Sequence, residues 1–170
     1  MTVADSSERV VAFLPVKRSS DRVANKNIRP FGGEPFFLFT LRKLLACDAI
    51  DEVFIDSECE EILEIGKAAG ATPLKRDPAM ASNDTDGHAL FWNEVQQVDA
   101  DIYVQALCTS PFVRLDTIKS AIKELQDDAS IDSVVLGQRQ HMYTWSDGRP
   151  GYGDDAIPNS SDLPWIDSEG

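Results

Sequence analysis

Residues 10–16, Val-Val-Ala-Phe-Leu-Pro-Val, form a seven-residue apolar run with no polar interruption. A strand solvated on one face alternates apolar and polar side chains, whereas a continuous run suits a strand covered on both faces. The run therefore predicts a buried central strand, with helices on either side of its sheet. Strands are also expected at 52–56, 72–75, 101–107 and 132–137. Helical patterns lie between them, at 35–48 with Pro35 in the first turn, from Ser57 to Gly70, from near Asp84 or Thr85 to about Gln97, and at 116–127. Ser57 and Glu60 have the spacing of a capping box, Gly70 reads as a helix stop, and Asp116 as an N-cap. Strand and helix alternate through residue 137, which implies an α/β domain: a three-layer, Rossmann-like, mostly parallel sheet. The domain is expected to span residues 1–137. Residues 138–170 are rich in Gly, Pro, Ser and Asp and have no apolar period. They read as a disordered tail, a substrate or dimer arm, or the start of a further segment; their Trp and Tyr content favours an arm.

The net charge of −13 argues against a duplex nucleic-acid binder, which would need a basic face to displace counterions. Its distribution says more than its sum. Residues 1–45 carry eight Lys/Arg against four Asp/Glu, while the remainder carries eight against 25. Lys17, Arg18, Arg22, Lys26 and Arg29 fall within thirteen residues that contain one acid, Asp21. Concentrated positive charge in an acidic chain suggests a site for a small anion; the plain alternative is a solvated loop. Cys47, Cys59 and Cys108 have no metal-ligand spacing and read as reduced thiols of a cytoplasmic protein. No stretch has the length or composition of a membrane span or signal peptide.

Position decides between anion site and bland loop. In open α/β sheets, ligands bind beyond the carboxyl ends of the strands, at a switch in strand order. The basic loop leaves the carboxyl end of the first strand. Ser57-Glu58, Lys75-Arg76 and Cys108-Thr109-Ser110-Pro111 leave the next three and share its edge. Asp99-Ala100-Asp101 has the D-x-D form of some metal sites, but it precedes its strand and so reads as a strand start. There is no G-x-G-x-x-G fingerprint and no P-loop. Ser19 and Ser20 are small enough for backbone N–H groups to approach phosphate oxygens, while the cations neutralise them.

The segment from Leu14 to Ile28 resembles the N-terminal signature of the acylneuraminate cytidylyltransferases, and Pro15, Ser20, Arg22, Lys26 and Asn27 match that pattern. Four later blocks follow in the family's order: FGGEPFFLFTLRKLL, IDEVFIDSE with Glu58 in place of Asp, KRDPAMASNDT, and LCTSPF. The resemblance covers about residues 10–137. It implies a nucleotide-diphospho-sugar transferase type of fold and transfer of CMP from CTP to the anomeric hydroxyl of a sialic-acid-like sugar acid, with release of pyrophosphate. It implies nucleotide contacts from Pro15, Lys17, Arg18, Ser19, Ser20, Arg22, Lys26, Asn27 and Arg76, with Lys17 and Lys26 in the catalytic role. Gln105 and Ser110 would lie toward the sugar. Mg²⁺ is the implied cofactor and a homodimer the implied assembly. Asp21 stands where the family has a Lys, Leu107 where it has a Gln, and Asp167 roughly where sialic-type members carry an Arg. The metal-binding acids and last helix of the family are expected beyond Gly170, in a longer chain or in a partner. Other readings are a different sugar nucleotidyltransferase, or a nucleotide-binding module that has lost catalysis.

Overall fold

A computed structural model describes residues 8–20, 23–82, 84–153 and 156–169. Two compact units divide it, Met1–Ser130 and Ile131–Gly170.

The first unit is built on a four-stranded parallel sheet. Its strands are β1 (Val10–Pro15), β4 (Glu52–Ser57), β5 (Thr72–Lys75) and β6 (Ile102–Gln105), in the order β5-β4-β1-β6. Two short strands, β2 (Pro30–Phe31) and β3 (Glu34–Pro35), form a hairpin outside it. β1 is central, and all six of its residues are buried. Val10, Ala12 and Leu14 face one layer with Leu41 and Leu44 of α1 (Phe37–Leu45), Ile62 and Leu63 of α2 (Glu60–Ala68), and Ile118 and Ile122 of α4 (Leu115–Asp127). Val11 and Phe13 face the other layer, where Phe91 and Val95 of α3 (Gly87–Val95) pack beside Phe54 and Tyr103. Phe13 is the hub there, with ring centroids 5.6 Å from Phe54, 6.4 Å from Phe91 and 6.1 Å from Tyr103. This is the three-layer arrangement that the apolar run implies.

Local chemistry fixes the helices. Asp86 caps α3 by accepting from the N–H of Ala89 at 2.7 Å. Gly70, at φ +110°, turns the chain out of α2. Gly66 faces β4 so closely that a Cβ there would stand 2.7 Å from Ile55 Cγ2. Some expected ends differ. Ser57 accepts from the N–H of Cys59 at 3.1 Å as a local turn, and α2 begins at Glu60. Asp116 lies inside the first turn of α4, whose N-cap is Arg114. α1 starts after the hairpin, so Pro35 sits in β3. Asp101 lies just before β6, which starts at Ile102, and its carboxylate accepts from the Arg9 N–H at 2.7 Å.

The expected strand at 132–137 is not present. Residues 131–136 have no ladder partner among the described residues, and Val135 is 67% exposed. β-branched composition describes a chain suited to a sheet; it does not provide the neighbour on which a strand depends. Instead β7 (Gly137–His141) pairs antiparallel with β10 (Trp165–Glu169) in the second unit. That unit also holds the hairpin of β8 (Trp145–Ser146) and β9 (Arg149–Pro150). His141 lies 3.7 Å from Trp165 between ring centroids, and Arg139 grips Asp167 at 2.7 and 2.9 Å. No helix is long and apolar enough to cross a membrane among the described residues.

Candidate active site

The sheet order reverses at β1: β4 lies on one side of it and β6 on the other. The segments leaving the carboxyl ends of β1 and β6 diverge there, and they frame a cleft of ≈ 150 Å³. Its lining is Pro15, Lys17, Lys26 and Asn27 from the basic loop, Arg76 after β5, Leu90 of α3, and Leu107, Cys108 and Thr109 after β6. Three cations separated by up to 59 positions in sequence therefore converge on one opening.

Asn27 holds the two sides together. It is buried, its Nδ2 donates to the Lys17 carbonyl at 2.9 Å, and its Oδ1 accepts from Cys108 Sγ at 3.1 Å. A short 3₁₀ turn, Lys26–Ile28, presents it, entered through Asn25 at φ 54°, a conformation that Asn tolerates well. Burial pushes the Cys108 thiol up from its ordinary pKa, with Lys26 opposing, so it serves as a hydrogen-bond donor rather than a thiolate.

Arg76 is 3% exposed and rests on Asp56, the penultimate residue of β4. Nε donates to Asp56 Oδ1 and Oδ2 at 3.1 and 3.0 Å, while Nη2 donates to Oδ2 at 2.6 Å and to the Asp56 carbonyl at 3.1 Å. None of these bonds uses Nη1. Behind the pair lies Glu94 of α3, fully buried, accepting from Gln105 Nε2 at 2.7 Å. Burial, and then the hydrogen-bonded carboxyl of Asp56, push Glu94 up to about 9. It is thus a neutral acid at pH 7.

The remaining sequence-chosen residues are arranged differently. The N–H of Arg18 donates to Glu58 Oε1 at 2.7 Å, and its guanidinium lies 3.6 Å from Glu61 of α2. Ser19 is exposed and Ser20 half-buried, outside the cleft lining. Ser110 belongs to the turn after β6, with its N–H on the Leu107 carbonyl at 3.1 Å. Gln105 turns inward to Glu94, not to the opening. Arg22, and the charge reversal at Asp21, lie outside the described residues. Sequence reasoning missed Asp56 and Glu94. Their signals were legible: an acid at the end of an apolar strand, and an acid sharing a helix face with Leu90 and Phe91.

A second cavity, ≈ 350 Å³, is lined by Phe31, Glu34, Pro35, Phe39, Arg42 and Lys43. It sits on the hairpin and α1, shares no lining residue with the cleft, and its Arg42 is paired with Glu34.

A family model described as cytidylyltransferase matches residues 11–146. The chain belongs to the cytidylyltransferase family. Pseudaminic acid cytidylyltransferase of Campylobacter jejuni is 29% identical to it over 126 residues, covering 71% of this chain and 54% of that protein. N-acylneuraminate cytidylyltransferase A of Danio rerio is 26% identical over 148 residues, covering 85% and 34%. A 3-deoxy-manno-octulosonate cytidylyltransferase of Xanthobacter autotrophicus is 30% identical over 137 residues, covering 80% and 52%. This cytidylyltransferase-family chain spans about half the length of the bacterial relatives. Its fold is that of CMP:2-keto-3-deoxy-manno-octonic acid synthetase, solved with CTP: TM-score 0.65 at 18% identity, over 72% of this chain and 49% of that one. A 4-diphosphocytidyl-2C-methyl-D-erythritol synthase shares it with TM-score 0.61 at 12% identity, over 96% and 73%.

Proposed function

We propose that the cleft between β1 and β6 binds CTP, and that the chain carries the nucleotide side of a CMP transfer to a sugar acid. The observation that carries this reading is the convergence of Lys17, Lys26 and Arg76 on one opening at the switch point of the sheet. An acidic protein has few reasons to gather cations on its ligand edge, and a triphosphate is one that matches their number.

In this reading Lys17 and Lys26 lie along the phosphates and stabilise the charge that builds as pyrophosphate leaves. Arg76, locked on Asp56 through Nε and Nη2, presents a guanidinium that need not reorganise during transfer. Pro15 and Asn27 set the shape of the loop, and Leu107 and Thr109 form the opposite rim. Ser110 lies toward the sugar. The anomeric hydroxyl attacks the α-phosphorus, the bond to the β-phosphate oxygen breaks, and the cleft's contribution is in-line positioning and charge.

The resemblance implies Mg²⁺, but the described residues do not fit a metal site of their own. No three His, Cys, Asp or Glu side chains among them converge. Asp56 is paired with Arg76, and Glu94 holds its proton, so neither buried acid is free to bind a cation.

Relatives named for pseudaminic, N-acylneuraminic and 3-deoxy-manno-octulosonic acids stand at comparable identity, so the acceptor class is a 2-keto-3-deoxy sugar acid rather than one compound. The test is pyrophosphate release by the chain with CTP, Mg²⁺ and each acid in turn. Release with one acid and not with CTP alone supports transfer. CTP binding without release from any acid would leave a nucleotide-binding module in place of an enzyme.

A further inference from the structure

Two carboxyl groups, Asp56 and Glu94, lie buried against a single guanidinium beneath the cleft floor. Asp56 and Arg76 are 0% and 3% exposed, and Glu94 is 0% exposed. Arg76 gives its four hydrogen bonds to Asp56 and none to Glu94. Glu94 Oε2 accepts from Gln105 at 2.7 Å, while Oε1 meets no donor. Only one of the two carboxyls can be charged without an uncompensated buried anion, whose cost far exceeds that of holding a proton. The charged one is fixed by geometry: Asp56 has the guanidinium and Glu94 has only an amide.

We propose that Glu94 is a positioning residue for the cleft, a neutral acid that links Gln105 at the end of β6 to the Asp56–Arg76 pair and so fixes the guanidinium facing the ligand. The proposal rests on the reading of the cleft as a CTP site, and it deepens that reading. This chain of polar groups joins strand β6, helix α3 and the turn after β5, beside the apolar contacts of Phe91, Val95, Tyr103 and Leu74. With the proton in place, Oε1 has a hydrogen-bond role toward Asp56 and the network carries one negative and one positive charge. Without it, a second anion sits under the triphosphate and competes for Arg76. The facing groups are Asp56 on β4, Arg76 after β5 and the uncharged Gln105 on β6. The pKa of Glu94, raised to about 9 by burial and by Asp56, agrees with this arrangement.

The experiment compares the full chain with Glu94→Gln, Glu94→Leu and, as a control on the cleft itself, Lys26→Ala. CTP affinity is measured by calorimetry between about pH 7 and pH 10, beside the infrared spectrum of each protein without nucleotide. Glu94→Gln keeps both hydrogen bonds without a titrating proton. It is expected to bind CTP within about threefold of wild type at neutral pH, and to lack the fall in affinity expected of wild type above about pH 9. Glu94→Leu is expected to unfold cooperatively yet bind CTP about tenfold more weakly, with rescue only in the Gln variant. The infrared spectrum of wild type is expected to hold a protonated-carboxyl carbonyl band at neutral pH that Glu94→Gln lacks. Absence of that band overturns the proposal whatever the ligand. So does a folded Glu94→Leu that binds CTP like wild type, or a Glu94→Gln that keeps the alkaline fall. If Glu94→Leu does not fold, the infrared band and the Gln pH profile decide. Lys26→Ala without effect on CTP binding, with the band present, would reject the cleft reading and leave the buried neutral acid standing.

Discussion

A guanidinium that is 3% exposed is costly to bury without a counter-charge, and Asp56 supplies it. Removing Arg76 therefore strands a buried anion. Arg76→Ala is expected to cost about 3–5 kcal/mol, read by urea denaturation, so its loss of CTP binding would not by itself prove a contact. Lys26→Ala is the cleaner probe: Lys26 is half-buried on the cleft wall, and its loss should weaken CTP roughly tenfold with stability unchanged within about 0.5 kcal/mol. Glu94 gives a pH signature of stability. The folded chain keeps a proton up to about pH 9 that the unfolded chain loses above about 4.5, so this group's contribution is complete at low pH and is lost as pH rises through that window. The melting temperature of wild type minus that of Glu94→Gln should therefore fall between about pH 5 and pH 8.5. A constant difference would contradict the buried neutral acid. At this scale Lys17 and Lys26 were chosen by charge, Asn27 and Arg76 by the family resemblance, and all four line one cleft. Arg18 and Gln105 were chosen for residue type and place in the chain, but neighbours decide direction, and both turn to acids that a linear pattern cannot pair with them.

Among the elements, β1 was the easiest to read, because only a central strand can bury six consecutive residues. The strand expected at 132–137 had similar composition and found no partner, since a strand depends on its neighbour as well as its own residues. The fit of α2 on β4 tests the packing of the ligand edge from behind. Gly66→Ala adds a Cβ within 2.7 Å of Ile55 Cγ2 in a buried layer. Better helix propensity offsets this only in part, and the net cost should be about 1–2 kcal/mol by denaturant titration. Asn27→Ala should act on the loop instead. It frees the Lys17 carbonyl and the Cys108 thiol, so the basic loop should exchange its amides faster while β1 stays protected.

For the molecule as a whole, charge, topology and family agree on one edge of the sheet. The chain's acidity lies mostly outside the basic loop, and the loop follows the strand at which the sheet order reverses. The acceptor and the metal ligands were not legible in the same way, because the described residues hold no cluster that would define them. The central claim is that this cleft holds CTP, and calorimetric titration of the full chain with CTP tests it most directly. Saturable binding at one site, weakened roughly tenfold in Lys26→Ala and more in Lys17→Ala combined with Lys26→Ala, is the predicted result. No measurable binding, or binding that both substitutions leave unchanged, would contradict it.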